Sequence, residues 1–221
     1  MLDRWTMPLT QMPLSRMAAG LASRRVTPNQ VTVGAFVVGM LALPLLAMEW
    51  YLAALVVILL NRLGDGLDGN LARHTGTQSD AGGFLDIGLD FVFYAAVVLG
   101  FALADPEANA LAAAWLLFAF IGTGTSFLAF AIMATRHGLT RPAFQRKAFY
   151  YLHGLTEGTE TILAFVAFCL WPAHFVWLAG VFAAACLITT ATRLWGGYGT
   201  LVRIEAASRK AGDGVSLNDS V

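Results

Sequence analysis

Four aspartates lie at helical spacing near the middle of the chain. Asp65 and Asp68 are three residues apart, and Asp86 and Asp90 are four residues apart. Residues at these spacings share one face of a helix, so each pair forms a stripe of carboxylates. Carboxylates packed together repel one another unless cations compensate, and oxygen ligands favour hard divalent ions. The pattern therefore predicts a site for Mg²⁺ or Mn²⁺ between two neighbouring helices.

Small residues and an arginine accompany the first pair of aspartates. Gly69 and Ala72 lie on the carboxylate face and leave room for a bulky ligand, and Arg73 follows directly. A guanidinium group is a planar fork that suits phosphate oxygens. Together with a metal ion, these residues indicate a diphosphate substrate that reacts at phosphorus. One carboxylate would accept a proton from the attacking hydroxyl.

A passive role explains the aspartates less well. Single aspartates at helix ends are commonly caps or solvated charges, and we expect Asp80 to be such a residue. If the other four were passive, unpaired charges would line abutting membrane helices at a cost of roughly a few kcal/mol each. We therefore expect these four aspartates to be functional.

The elements that position these residues follow from the composition. The chain has 221 residues, of which 57% are hydrophobic and 13% charged, and its mean hydropathy is +0.65. These values exclude an ordinary soluble domain and are typical of a polytopic membrane protein. The predicted fold is an all-α integral membrane protein with six transmembrane helices. The six apolar stretches are 31–50, 51–68, 84–104, 110–134, 157–171 and 174–194.

The charge distribution predicts the orientation of these helices. The formal net charge is zero, and we expect no nucleic-acid partner. With six spans, all fourteen Lys and Arg residues fall on one side of the membrane, whereas the opposite connections carry Glu49, Asp105, Glu107 and His174. The positive-inside rule then predicts cytoplasmic termini and a carboxylate site that faces the cytoplasm.

Local signals predict the segments around the spans. Leu14, Met17, Ala18 and Leu21 recur at helical spacing, which predicts an N-terminal amphipathic helix in the membrane interface. The second span is expected to continue as a helix beyond the lipid, since no strong helix breaker follows its apolar part. We expect it to end near residue 74, with a turn at 76–79 and the next helix from about residue 82. The predicted divisions are an interfacial segment 1–26, a membrane domain 27–203 and a polar C-terminal tail 204–221.

The carboxylates, small residues and arginine together resemble the signature of the CDP-alcohol phosphotransferase family. Every motif position matches in Asp65-x-x-Asp68-Gly69-x-x-Ala72-Arg73, eight further residues, and Gly82-x-x-x-Asp86-x-x-x-Asp90. The resemblance implies that an acceptor hydroxyl displaces CMP from a CDP-linked donor such as CDP-diacylglycerol, in phospholipid biosynthesis. It also implies two Mg²⁺ or Mn²⁺ ions, a homodimer, and a place in the bacterial inner membrane among membrane lipids.

The resemblance also implies residue roles, position by position. Asp90 would be the general base, with a share in metal binding. The metal ligands would be Asp65, Asp68 and Asp86. The CDP pocket would be lined by Gly69, Ala72 and Arg73, with help from Asn29 and Gly82.

The acceptor alcohol stays open at the level of sequence. Asp86 leads into Ile-Gly-Leu-Asp90-Phe, unlike the Pro-Leu-Ala-Asp-Lys of the glycerol-phosphate-using branch or the Ser-Leu-Ala-Asp of the serine-using branch. The chain looks most like another bacterial inner-membrane branch. Glu157 and Glu160 could bind a hydroxyl-rich or cationic acceptor, or could cap the fifth predicted helix. Basic residues could bind a phosphorylated acceptor or lipid head groups, or could serve topology alone. These are Arg136, Arg141, Arg146, Lys147 and Arg193.

Two other classes of membrane protein also use clustered carboxylates. A membrane prenyltransferase also combines Asp-rich motifs with Mg²⁺, but it needs two separated motifs and more spans. A divalent-cation transporter would place its carboxylates near the middle of the membrane. A transporter would also have no use for Ala72 and Arg73.

Overall fold

A computed structural model of the chain describes residues 3–136 and 156–216. Within these residues the chain is helical apart from short connections, and no strand occurs there. This confirms the all-α prediction. The helices are α1 Asp3–Ser23, α2 Pro28–Met40, α3 Ala42–Ala47, α4 Tyr51–Thr75, α5 Asp80–Ala104, α6 Pro106–Arg136, α7 Gly158–Leu170 and α8 Phe175–Ser216, with a 3₁₀ turn at Pro172–His174 before α8.

The chain divides into two compact units. The first unit comprises residues 1–118 and 157–183, and the second comprises residues 119–156 and 184–221. All four candidate aspartates belong to the first unit. The helices α1 to α5 and α7 therefore contain the elements that position the site.

Four segments in the described part of the chain are long and apolar enough to cross a membrane. They are Pro28–Ala47, Asp80–Ala104, Pro106–Arg136 and Pro172–Ala206. The apolar helix Gly158–Leu170 is shorter, and α4 carries several charges in its second half. The prediction of several apolar helices long enough to span a membrane is thus confirmed. Six crossings and cytoplasmic termini stay predictions.

The first predicted span is interrupted between α2 and α3. The sequence predicts one apolar stretch at 31–50, whereas α2 ends at Met40 and α3 begins at Ala42. Proline lacks a backbone N–H, and its ring clashes with the carbonyl four residues earlier. For Pro44 that carbonyl belongs to Met40, so the proline accounts for the position of the break.

Close contact between α2 and α4 places the two helices around the site. A Cβ added to Gly64 of α4 would overlap the Cβ of Ala35 on α2. A Cβ added to Gly39 of α2 would lie 2.8 Å from Nδ2 of Asn61 on α4. This Asn61 Nδ2 donates to the carbonyl oxygen of Ala35 at 3.1 Å. Small residues on both helices therefore allow the backbones to approach closely.

The N-terminal helix α1 packs on the second half of α4. Leu14 and Ala18 are buried against Leu67 and Leu71 of α4, while Met17 is 44% exposed. The predicted apolar face of α1 is thus divided between a protein contact and an exposed side chain. This packing covers one side of the helix that carries the first aspartate pair.

The last helix is longer than the sequence predicts. The apolar pattern indicates an end near residue 194, whereas α8 continues to Ser216 and takes up part of the predicted tail. Phe130 and Ala134 of α6 pack against Leu201 and Ile204 of α8 in the second unit. Glycine lowers helix stability by about 1 kcal/mol relative to alanine but does not forbid a helix. Packing on α6 stabilises α8 at Leu201 and Ile204, beyond the end of the apolar stretch.

Candidate active site

A tight turn joins α4 to α5 and brings the two aspartate pairs together. Gly76 ends α4 with a left-handed backbone (φ 67°), a conformation that glycine adopts without strain. Ser79 caps α5, because its Oγ accepts a hydrogen bond from the N–H of Gly82 at 3.1 Å. The observed ends, Thr75 and Asp80, lie within two residues of the predicted ones. Asp80 is an exposed residue in the first turn of α5 and is not one of the clustered aspartates, which agrees with a solvated charge, whereas the cap itself is Ser79.

Three aspartates form a cluster with the geometry of a metal site. Asp65, Asp68 and Asp86 each contribute one carboxylate oxygen, and these oxygens lie within 4.8 Å of one another. Asp90 lines the same small cavity. Asp68 is only 4% exposed and Asp65 and Asp86 are half-buried, so the cluster sets shielded carboxylates side by side. An all-oxygen donor set of this kind suits Mg²⁺ or Mn²⁺, which would compensate the repulsion.

Two carboxylates of this cluster have partners that were not predicted from the sequence. The hydroxyl of Thr32 on α2 donates to Oδ2 of Asp68 at 2.5 Å. Nη1 of Arg62, one turn earlier on α4, forms an ion pair with Asp65. Arg62 could have been found from its spacing of three residues from Asp65. Thr32 precedes Asp68 by 36 residues and leaves no local signal.

Asp90 also has a partner on its own helix. The hydroxyl of Tyr94 donates to Oδ2 of Asp90 at 3.3 Å. The Tyr94 ring meets the edge of Phe165 on α7, with ring centroids 5.8 Å apart. Tyr94 therefore links the Asp90 carboxylate to α7. The four-residue spacing of Asp90 and Tyr94 is the signal that could have revealed their hydrogen bond.

A larger cavity of about 200 Å³ opens beside the carboxylates. Asp68 and Asp86 lie on its wall as well as on that of the smaller cavity, so the two spaces adjoin. All five residues predicted for the CDP pocket line the larger cavity: Asn29, Gly69, Ala72, Arg73 and Gly82. Thr77, Gln78 and Ser79 of the α4–α5 turn also line it and were not predicted.

Two of the three glycines that line this cavity lie next to polar side chains. A Cβ added to Gly69 would lie 3.6 Å from Nη1 of Arg73, so the guanidinium group extends over this residue. A Cβ added to Gly82 would lie 3.2 Å from Oδ1 of Asn29. The cavity thus places an arginine and an asparagine next to backbone that carries no side chain. This arrangement can admit a phosphate group close to the main chain.

Glu157 and Glu160 form a capping box at the start of α7. Oε2 of Glu160 accepts a hydrogen bond from the N–H of Glu157 at 3.2 Å. The capping alternative therefore describes their geometry. The same segment approaches the aspartates, because a Cβ added to Gly158 would lie 3.1 Å from Nη2 of Arg62. The start of α7 thus contacts the arginine that pairs with Asp65.

Two of the five predicted basic residues are described, and both belong to the second unit. Arg193 belongs to the second unit, where its Nη1 donates to the carbonyl oxygen of Thr123 at 3.3 Å and its guanidinium lies 5.6 Å from the centre of the Phe127 ring. Arg136 is exposed at the end of α6 in the same unit. The remaining three fall outside the described residues: Arg141, Arg146 and Lys147.

Comparison with known proteins identifies a family and a similar sequence. Residues 25–195 match the CDP-alcohol phosphatidyltransferase family. The inner membrane protein YnjF of Escherichia coli K12 is 64% identical over 162 residues, which are 73% of this chain and 78% of that protein. The aligned part of both chains therefore covers most of their length.

Solved structures share the fold. The phosphatidylinositol phosphate synthase PgsA1 of Mycobacterium tuberculosis with CDP-DAG bound gives a TM-score of 0.62 at 23% identity, over 84% of this chain and 93% of that one. Its complex with manganese and citrate gives a TM-score of 0.55 at 22% identity, over 84% and 88%. At this identity the likeness concerns the fold. The motif, the match over residues 25–195 and the similarity to YnjF together show that the chain is a membrane transferase that belongs to the CDP-alcohol phosphatidyltransferase family.

Proposed function

We propose that the protein transfers a phosphatidyl group from CDP-diacylglycerol to the hydroxyl of a small alcohol and releases CMP. The observation that carries this proposal is the junction of the two cavities. Asp68 and Asp86 face both the carboxylate cluster and the space that holds Arg73 and Gly69. A diphosphate in the larger cavity would thus have its oxygens next to the metal ligands. The CDP-DAG complex of the similar PgsA1 structure supports a CDP-linked lipid as donor.

The carboxylate cluster suits two Mg²⁺ or Mn²⁺ ions held by Asp65, Asp68 and Asp86, with Asp90 sharing in the binding. Such ions supply Lewis-acid stabilisation of the diphosphate oxygens. The manganese complex of PgsA1 supports this ligand class. Arg73 binds a phosphate oxygen through its planar fork. In this proposal Asn29, Gly69, Ala72 and Gly82 line the CDP pocket beside it.

Asp90 acts as general base in this proposal. Its carboxylate accepts the proton of the acceptor hydroxyl as the acceptor oxygen forms a bond to the phosphatidyl phosphorus. The bond from that phosphorus to the CMP oxygen breaks, and CMP leaves with the bonding electrons. Because Asp90 lies in the same small cavity as the proposed metal ligands, a cation held by them would keep its carboxylate ionised.

Two alternative sets of residues are proposed to bind the acceptor alcohol. The contact of α7 with Arg62 supports Glu157 and Glu160, which suit a hydroxyl-rich or cationic alcohol. Arg136 and Arg193 suit a phosphorylated alcohol. A mass-spectrometric product assay that offers CDP-diacylglycerol with a panel of alcohols and alcohol phosphates separates the two sets. Glu160→Gln would raise the acceptor KM in the first case, and Arg193→Gln would raise it in the second.

The proposed setting is a multi-pass homodimer in the bacterial inner membrane with its active site towards the cytoplasm. YnjF is an inner membrane protein, which supports the location. The excess of Lys and Arg on one side of the predicted spans supports the orientation. Homodimerisation follows from the family resemblance, and light scattering of the purified protein in detergent tests it.

CMP release from CDP-diacylglycerol tests the proposed chemistry. Release should require Mg²⁺ or Mn²⁺, stop with EDTA, and be lost in Asp68→Asn. Asp90→Asn should lower kcat by about 100-fold or more, the usual contribution of a general base. Asp80→Asn is the matched control, because Asp80 lies outside the cluster. Unchanged release by Asp68→Asn or in EDTA would reject the metal-dependent transfer. An absence of CMP release by the wild-type protein with Mg²⁺ or Mn²⁺ would instead reopen the prenyl-transfer alternative, for which an isoprenyl diphosphate is the substrate to test.

A further inference from the structure

Tyr94 lies one helical turn after Asp90, and aromatic rings hold it in place. Its centroid lies 5.8 Å from that of Phe165 on α7 in an edge contact and 5.9 Å from that of Phe93. Phe93 and Phe165 are both fully buried. The Tyr94 ring therefore has little freedom to rotate away from this position.

The Tyr94 hydroxyl has a purpose beyond packing. Phenylalanine would fill the same space between the neighbouring rings, whereas the hydroxyl of this half-buried tyrosine can donate a hydrogen bond. The partner is Oδ2 of Asp90, at 3.3 Å. The four-residue spacing directs the Tyr94 side chain back over the preceding turn, where Asp90 lies. Sequence and packing thus both direct this hydroxyl to one carboxylate oxygen.

This hydrogen bond makes the two oxygens of Asp90 unequal. A carboxylate has lone pairs on both oxygens, and either could accept a proton. With Oδ2 engaged by Tyr94, Oδ1 is the oxygen left for another donor. A carboxylate that could rotate freely would present either oxygen in changing directions. General-base catalysis requires the accepting atom within hydrogen-bond reach of the proton that it removes.

We propose that Tyr94 is a positioning residue for the transfer reaction, which holds Oδ2 of Asp90 and directs Oδ1 to the acceptor hydroxyl. This inference rests on the proposed role of Asp90 as general base. The proton of the acceptor moves to Oδ1, the acceptor oxygen bonds to phosphorus, and the bond to CMP breaks. Tyr94 keeps its own proton throughout. Through Phe165, the position of α7 also determines how the base is oriented.

Tyr94→Phe is the direct test, because it removes the hydroxyl and keeps the ring. We expect kcat to fall by about tenfold or more, the effect of one hydrogen bond to a charged group. The KM for CDP-diacylglycerol and the affinity for Mn²⁺ should stay within about twofold, since the lost contact serves the chemical step. Mn²⁺ binding is measured separately by electron paramagnetic resonance on the purified protein in detergent. Tyr51→Phe is the matched control, since Tyr51 begins α4, about 20 Å along that helix from Asp65.

A second variant tests the same inference without removal of the hydroxyl. Phe165→Leu takes away the ring that holds Tyr94 but keeps its hydrogen-bond donor. A smaller fall in kcat at unchanged donor KM is expected. Wild-type kcat in this variant would overturn the part of the inference that involves α7.

The outcomes separate this inference from the proposed function. A kcat of Tyr94→Phe equal to that of Tyr51→Phe would overturn the positioning role. A rise in the donor KM together with a fall in Mn²⁺ affinity and in kcat would overturn it too, because such a combination would indicate a structural role. Normal turnover by Asp90→Asn would instead refute the base assignment itself. A strong loss in Asp90→Asn with normal Tyr94→Phe would leave the proposed function standing and remove the inference alone.

Discussion

Thr32→Val is expected to weaken Mn²⁺ binding by about tenfold. The Thr32 hydroxyl donates to Oδ2 of the buried Asp68 at 2.5 Å, and valine keeps the shape of the side chain without the donor. Hydrogen bonds to charged groups contribute about 1.5–3 kcal/mol, and each 1.4 kcal/mol is about a factor of ten in affinity. The carbonyl oxygen of Pro28 lies 3.1 Å from the Thr32 hydroxyl and is a second acceptor for the same proton, so the loss should lie at the lower end of that range. The value agrees with the about 10- to 100-fold effect typical of groups that orient metal ligands.

Titration of the purified protein with Mn²⁺, followed by electron paramagnetic resonance of the free ion, measures this change directly. Thr32→Ser restores a hydroxyl at the same position and should bind Mn²⁺ like the wild type. Thr125→Val is a control for the substitution itself, since the Thr125 hydroxyl bonds to a carbonyl of its own helix, α6. Wild-type affinity in Thr32→Val would refute the reasoning. Equal weakening in Thr32→Ser and Thr32→Val would also refute it, because the hydroxyl would then be irrelevant.

Two glycine substitutions test the packing of the site. Gly82→Ala should raise the KM for CDP-diacylglycerol in a CMP-release assay, because the new Cβ would lie 3.2 Å from Oδ1 of Asn29 in the larger cavity. Gly88→Ala, whose Cβ would meet nothing within 4 Å, is its control, and equal KM values would contradict the prediction. Gly64→Ala should destabilise the fold by about 1–3 kcal/mol through overlap with α2. In thermal unfolding in detergent it should melt below Gly34→Ala, which meets open space, and matching curves would count against the close helix contact.

Local signals explain why the α4–α5 hairpin could be predicted. The end of α4 depends on Gly76, and the start of α5 depends on the hydroxyl of Ser79, so both boundaries are encoded within a few residues. The spacing of the aspartates then fixes which helix faces carry carboxylates. A short turn between the helices left little freedom for the two faces to separate. The clustering of Asp65, Asp68 and Asp86 confirms this expectation.

The features that were not predicted depend either on contacts with helices distant in sequence or on residue patterns that suit two different roles. Thr32 reaches Asp68 only because α2 packs closely on α4, and no local pattern indicates that pairing. Glu157 and Glu160 illustrate the second difficulty, because two acidic residues three apart suit both a capping box and a ligand site. Their hydrogen bond forms at the start of α7, which at Gly158 lies one residue from the predicted start at 157. A pattern shared by two functions cannot distinguish them without coordinates.

The position of α4 between its neighbours determines the geometry of the whole site. Helix α1 covers Leu67 and Leu71, α2 contacts Gly64 and supplies the donor for Asp68, and α5 supplies Asp86. Each of these neighbours therefore limits the movement of α4. Because packed interiors transmit small displacements, a shift of α4 against any one of them would change the distances between carboxylate oxygens. Substitutions far from the aspartates, such as those at the α2–α4 contact, can thus alter metal binding without removal of any ligand.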